Sequence, residues 1–128
     1  MHLQPETACF GRRFLIDFYT FGKMGIDGLL YGKDVIVYRN HVLSPWWRKE
    51  GHLLHLEDLS AEIQDSECKR VIVGTGKFGF MKMAEDLIQY LSVRGTALTA
   101  LRTDSAVLEF NRWLQNGENV LGAFHLTC

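Results

Sequence analysis

The period of the hydrophobic positions changes along the chain, and the change divides it in two. In the first half, "RFLIDFYTF" (13–21) is aromatic and β-branched enough to predict a strand. "DGLLYGKDVIVYRN" (27–40) predicts another, densest at Val35-Ile36-Val37-Tyr38. "HVLSPWWRKEGHLL" (41–54) reads as irregular or edge-like, because Pro45 lacks a ladder donor and sits badly in a central strand. The period changes at Leu56. "LEDLSAEI" puts Leu56, Leu59 and Ile63 on one face of a short helix, with Glu57, Asp58 and Glu62 opposite.

The second half alternates strands with helices. Val71-Ile72-Val73 is short and unbroken, as a strand buried on both faces would be. Residues 81–94 predict a helix with a stripe of Met83, Ala84, Leu87, Ile88 and Leu91, closed by Gly95 as a C-cap. "TALTALR" (96–102) is strand-like, and Thr103 or Asp104 is placed to cap the next helix. That helix turns Ala106, Val107, Phe110 and Leu114 inward and ends at Gly117, before a last strand in "NVLGAFHL" (119–126). Helical crossovers predict parallel strands here, and the hairpin-like front end predicts antiparallel ones. The expected fold is α/β: a single three-layer domain over residues 1–128, with a mixed β-sheet. Antiparallel N-terminal strands precede β-α-β-α-β, and residues 1–12 are loosely ordered.

Charge narrows the function classes. The 14 basic and 15 acidic residues are spread evenly, so no basic face is available for nucleic acid. Three cysteines, widely spaced and without a CxxC, argue against a disulfide framework and for a reducing compartment. The N-terminal stretch lacks an apolar signal core and the Arg/Ser-rich character of a transit segment, and no apolar run approaches a membrane span. These features predict a soluble cytoplasmic protein without membrane insertion.

"VIVGTGKFGF" (71–80) spells Gly-x-Gly-x-x-Gly between a predicted strand and a predicted helix. Such a loop can present backbone N–H groups to a phosphate. A dinucleotide site also needs an acidic residue roughly 20 positions later. "TALTALRTD" offers Thr99 and Arg102 in that zone instead, and no substrate domain is left over. Two readings stay open. The glycines make a tight turn that excludes side chains, or Gly74, Thr75 and Gly76, with Arg102, line a cleft for a small anion or nucleotide.

Other chemistry is sparse. His41, His52 and His55 lie in a segment that looks extended, with no convincing carboxylate or thiol beside them, so no metal is expected. His125-x-x-Cys128 invites a nucleophile reading, but strand residues three apart face opposite sides. No catalytic residue and no cofactor are expected. Trp46-Trp47-Arg48-Lys49 has the character of a partner surface, since Trp and Arg are common interface anchors. In the other reading one Trp fills the core and the other covers a loop.

Four stretches carry a resemblance. They are "DVIVYRN" (34–40), Trp47-Arg48 to Gly51-His52, "VIVGTGKFG" (71–79) and "TDSAVLEFNRWLQNGENVLGAFHLTC" (103–128). In these the chain resembles the small domain family that includes the mitochondrial respiratory complex I assembly factor three and the adipogenesis-associated domain proteins. The most specific part is the terminal His125-Leu126-Thr127-Cys128 with Ala106, Phe110-Asn111 and Gly117. The resemblance implies a three-layer α/β fold and a non-enzymatic, assembly-factor-like role. It also implies that Gly79 is structural. The expected contact face is Trp47, Arg48 and His52, the expected partner is a protein, and the chain itself is expected to be a monomer or weak homodimer.

Overall fold

The computed structural model describes residues 14–59 and 63–128. Strands β1 (Ile16–Thr20), β2 (Lys23–Ile26) and β3 (Leu29–Tyr31) form an antiparallel meander. β4 (Val35–Tyr38) and β5 (His41–Leu43) make a hairpin. β6 (Leu53–Leu54) precedes a 3-10 turn at Leu56–Leu59. Then come β7 (Arg70–Thr75), β8 (Lys82–Met83), α1 (Glu85–Arg94), β9 (Ala97–Leu101), α2 (Thr103–Gln115) and β10 (Val120–His125).

The main sheet has the order β5-β4-β10-β7-β9. β10 and β9 both run parallel to β7, whereas β4 is antiparallel to β10 and β5 to β4. The parallel pairs are the ones joined through helices, as crossover geometry requires. The last strand of the chain is therefore the middle strand of the sheet, and every residue of β10 is buried.

Strand alternation sends side chains to two separate cores. Ile36, Tyr38, Val71, Val73, Leu121 and Ala123 face a layer made by α1, the 3-10 turn and the short β6–β8 pair. Val35, Val37, Ile72, Val120 and Phe124 face α2 and the β1–β3 meander. The result is the three-layer mixed α/β arrangement expected from the pattern.

Several local expectations change. The segment 27–40 is two strands in different sheets, because Gly32-Lys33-Asp34 breaks it. β2 was not foreseen in "KMGI", whose glycine hides a strand that buries Met24 and Ile26. Of the expected 56–63 helix, Leu56–Leu59 is a 3-10 turn and Ile63 is α-helical; residues 60–62, and the expected loose N-terminal twelve, lie outside the described residues. Helix 81–94 starts later, at Glu85. The backbone before it is engaged elsewhere: Lys82 N–H donates to His52 O at 2.9 Å and Ala84 N–H to Leu54 O at 2.8 Å. α1 does end as expected, with Gly95 at φ +74°.

α2 shows how its layer is fixed. Its face of Ala106, Val107, Phe110 and Leu114 is buried, as the spacing predicted. Phe110 lies across β10, edge-on to Phe124 at 5.6 Å between ring centroids. Asn111 grips the meander, accepting from Ile16 N–H at 2.9 Å and donating to Ile16 O at 2.8 Å. The close approach needs Gly122. A Cβ there would stand 2.5 Å from Phe124 Cε2 and 2.7 Å from Phe110 Cδ1. Gly122→Ala is therefore expected to destabilise the fold by about 1–3 kcal/mol through overpacking, read as a lower urea midpoint at unchanged slope.

Candidate functional site

The glycine loop is built into the structure more tightly than its spelling suggests. Gly74 is a buried strand residue, and a Cβ on it would lie 2.8 Å from Thr103 Oγ1 and 2.9 Å from Phe124 Cδ1. Gly76 has φ +103°, a conformation that L side chains rarely adopt. Its N–H donates to Thr103 Oγ1 at 2.9 Å, and its carbonyl accepts from the N–H groups of Thr103 and Gly79. Lys77 N–H donates to Thr127 O at 2.9 Å.

The loop N–H groups of Gly76, Lys77 and Gly79 are therefore all satisfied inside the chain. The loop also leads into β8 and not directly into a helix. The anion-binding reading of Gly74, Thr75 and Gly76 loses the donors it required. Thr75 itself donates its hydroxyl to Leu101 O at 3.0 Å. Arg102 lies over Gly79 with its side chain mostly exposed, on an open depression that Thr75 and Lys82 also line.

Thr103 does not cap α2, contrary to expectation. The cap position is Arg102, and no side chain bonds there. Fully buried, the Thr103 hydroxyl donates to His125 O at 2.7 Å while accepting from Gly76. One hydroxyl thus ties the ends of β7 and β10 to the start of α2.

Beside this junction lies a buried polar cluster that the sequence did not announce. Asp34, between β3 and β4, accepts from Leu126 N–H at 2.7 Å and from His125 Nδ1–H at 2.8 Å. Arg48 Nη1 stands 2.9 Å from the same carboxylate as an ion pair, but it is not aligned as a hydrogen-bond donor. A carboxylate only accepts, so the His125 Nδ1 proton points to Asp34. Arg48 Nη2, 3.2 Å from that nitrogen, then faces a donor. Only Arg48 Nε has an acceptor in line, Gly51 O at 3.3 Å. The guanidinium stacks on Trp46, 4.7 Å from the ring centroid, and its side chain is 6 % exposed.

Burial pushes the Asp34 carboxyl upward. The hydrogen bonds from His125 and Leu126, with the charges of His125 and Arg48, more than offset that and hold it below its ordinary value.

The structure separates the tryptophans, one for each reading. Trp46 is core and donates its indole N–H to Asp58 O at 3.1 Å, whereas Trp47 is 76 % exposed. His52, the third member of the expected contact face, bonds the backbone oxygen of Cys128 at 2.7 Å. Its ring lies 6.0 Å from that of His125 and 6.0 Å from Phe80. Phe80 in turn lies 5.8 Å from Phe78, and both phenylalanines are more than half exposed. A Cβ on Gly76 would be 2.9 Å from His125 Cδ2. The glycine loop and two members of the expected contact face, Arg48 and His52, therefore meet at His125.

His125 and Cys128 do not pair: His125 turns inward to Asp34, and Cys128 is exposed. His55 bonds Glu50 at 2.9 Å and His41 lies on the edge strand β5. Among the described residues no group of three or more His, Cys, Asp or Glu side chains is placed to hold a metal, and no helix is long and apolar enough to cross a membrane.

Asp34, Thr103, Phe78 and Phe80 were missed as site residues. The available signals were slight: an acid directly before the apolar run of β4, and two phenylalanines inside a glycine-rich turn.

This architecture, a five-stranded mixed sheet covered on both faces, defines the chain as a small three-layer α/β protein. Residues 16–125 match the family described as "Protein of unknown function (DUF498/DUF598)", and the chain belongs to that family. Among solved structures it is similar to an outer membrane protein from Bartonella henselae, at 21% identity and TM-score 0.77 over 93% of this chain and 99% of that one. It is also similar to a conserved hypothetical protein from Pyrococcus horikoshii OT3, at 21% identity and TM-score 0.71 over 88% and 98%. A Mth938-like domain protein from Bordetella pertussis matches at 16% identity and TM-score 0.68 over 98% and 91%. At these identities the likeness is one of fold.

Two stability effects follow from this geometry. Thr103→Val keeps the shape but leaves Gly76 N–H and His125 O without their partner, and is expected to cost about 2 kcal/mol in denaturant unfolding. Asp34→Ala strands a buried guanidinium and is expected to cost about 3 kcal/mol. Because the folded Asp34 value is depressed, its contribution is present above the ordinary value of 3.8 and is lost as pH falls through the folded value. Asp34→Asn should accordingly flatten the acid limb of the stability–pH profile measured by urea unfolding.

Proposed function

We propose that this protein is a non-enzymatic protein-binding domain of the assembly-factor type. Its contact face is the exposed aromatic margin around the His125 cluster, formed by Trp47, Phe78 and Phe80 with His52 between the cluster and Phe80. The observation that carries this reading is the exposure of those three large aromatic rings beside buried, locked polar groups. Aromatic side chains with a cationic neighbour give interfaces most of their binding energy when a partner desolvates them. Beneath them Asp34 holds His125 by a hydrogen bond and Arg48 by an ion pair, and the cluster contains no nucleophile paired with a base. The resemblance to the family of the respiratory complex I assembly factor supports a partner that is itself a subunit or helper of a larger complex.

The test is affinity capture from the native host, comparing wild type with Trp47→Ala and Phe80→Ala, both on exposed side chains. Each substitution is expected to weaken a specific partner by about 2 kcal/mol, roughly 30-fold, with thermal stability unchanged. Retention of every specific partner by the double variant would remove this face from consideration.

A further inference from the structure

Among the described residues β9 has a strand neighbour on one side only, and that neighbour is β7. Ala97 N–H donates to Lys69 O at 3.1 Å, toward β7. In a parallel ladder the residues that bond the neighbour alternate, so Ala97, Thr99 and Leu101 bond β7. The N–H and C=O groups of Leu98 and Ala100 therefore face outward along a free edge. Charge and proline, which commonly guard such an edge, are both missing from Ala97–Leu101. A groove runs beside it. Leu98 packs on the α1 side of the sheet, and Ala100, two residues on, shares its face. With Met83, Ile88 and Leu91 they line a hollow of about 490 Å³. Met83 and Ala100 also border the open depression of about 570 Å³ that holds Phe78, Lys82 and Arg102. The two hollows form one trough, apolar along β9 and cationic at its carboxyl end. No acidic residue lines that end; Asp104 stands 3.9 Å from Arg102, both with exposed side chains.

We propose that this trough takes an extended segment of a partner protein, added to β9 as a further strand of the main sheet. Its apolar side chains alternate into the groove, and an acidic residue lies against Lys82 and Arg102. Backbone pairing to Leu98 and Ala100 supplies affinity, and hollows for alternate side chains supply selectivity, as in strand addition generally. The acid follows from charge complementarity at the cationic end, which selects among apolar segments. A second copy of this chain fits poorly. Thr96–Arg102 contains no acidic residue, so two β9 edges laid together bring no carboxylate from that strand to the cations. The trough meets the aromatic margin of the proposed contact face only at Phe78, so this inference does not depend on that face.

The test titrates the intact protein with the peptide acetyl-Asp-Thr-Val-Thr-Leu-Thr-Asp-amide. When extended, its acids, valine and leucine share one face, and an acid at each end serves either strand direction. A second peptide has lysine in place of both acids, and a third keeps the acidic sequence with methyl groups on its backbone nitrogens. Amide shifts and hydrogen exchange are followed by NMR. At saturation with the acidic peptide, exchange at the Leu98 and Ala100 amides is expected to slow at least about tenfold, while Thr99 and Leu101, already bonded to β7, stay as they were. The lysine and methylated peptides are expected to bind at least about tenfold more weakly. Lys82→Glu with Arg102→Glu, both on exposed side chains, should turn the preference toward the lysine peptide, and Trp47→Ala should leave binding unchanged. The proposal is overturned if the acidic peptide gives no saturable shift at millimolar concentration, if the lysine or methylated peptide binds equally well, if Leu98 and Ala100 gain no protection, or if Trp47→Ala removes the binding. Protection of those two amides that rises with protein concentration alone would assign the edge to a second copy and overturn it as well.

Discussion

The carboxylate of Asp34 fixes the end of the central strand. β10 enters the sheet last and lies in its middle, so its carboxyl end has to be held by groups outside the sheet. Asp34 supplies that hold from beside the antiparallel neighbour, through Leu126 N–H and His125 Nδ1. The same carboxylate faces Arg48, which places Trp46 beneath the guanidinium and leaves Trp47 outside. Isolated buried charges are costly, and this one is retained because every oxygen has a donor or a cation. The position of the exposed tryptophan follows from that local electrostatic requirement.

The glycine loop illustrates how spelling and geometry can diverge. Strand, Gly-x-Gly-x-x-Gly and apolar periodicity are all present in the order that a phosphate site uses. In this fold the glycines answer a different demand. Gly74 makes room for Thr103 and Phe124, and Gly76 for Thr127 and His125. The Thr103 hydroxyl takes the N–H that a phosphate would have needed. A loop whose donors are satisfied internally becomes rigid support for neighbouring side chains. Here the supported side chain is His125. Exposed rings at the margin suit a macromolecular surface, where burial by a partner supplies the driving force.

The sequence by itself determined the second half of the fold. Strong periodicity located β7, α1, β9, α2 and β10, and crossover geometry then required parallel pairing. It also marked Gly95 and Gly117 as helix terminators, because positive φ favours glycine. It did not reveal β2, whose glycine and short length disguise it, or the break at Gly32–Asp34, or the late start of α1. Those depend on which backbone groups find partners across the chain, as Lys82 and Ala84 do with β6 and its flank. The glycine spelling and the Trp-Trp-Arg-Lys run drew attention to the glycine loop, Trp47 and Arg48, and the family resemblance to the stretch that ends at His52. Only tertiary structure could decide that Arg48, His52 and the glycine loop converge on His125, which Asp34 holds from 91 residues away. Long-range pairing of charged groups leaves no period in a sequence. It is set by where the strands place those groups and by the cost of burying either one alone.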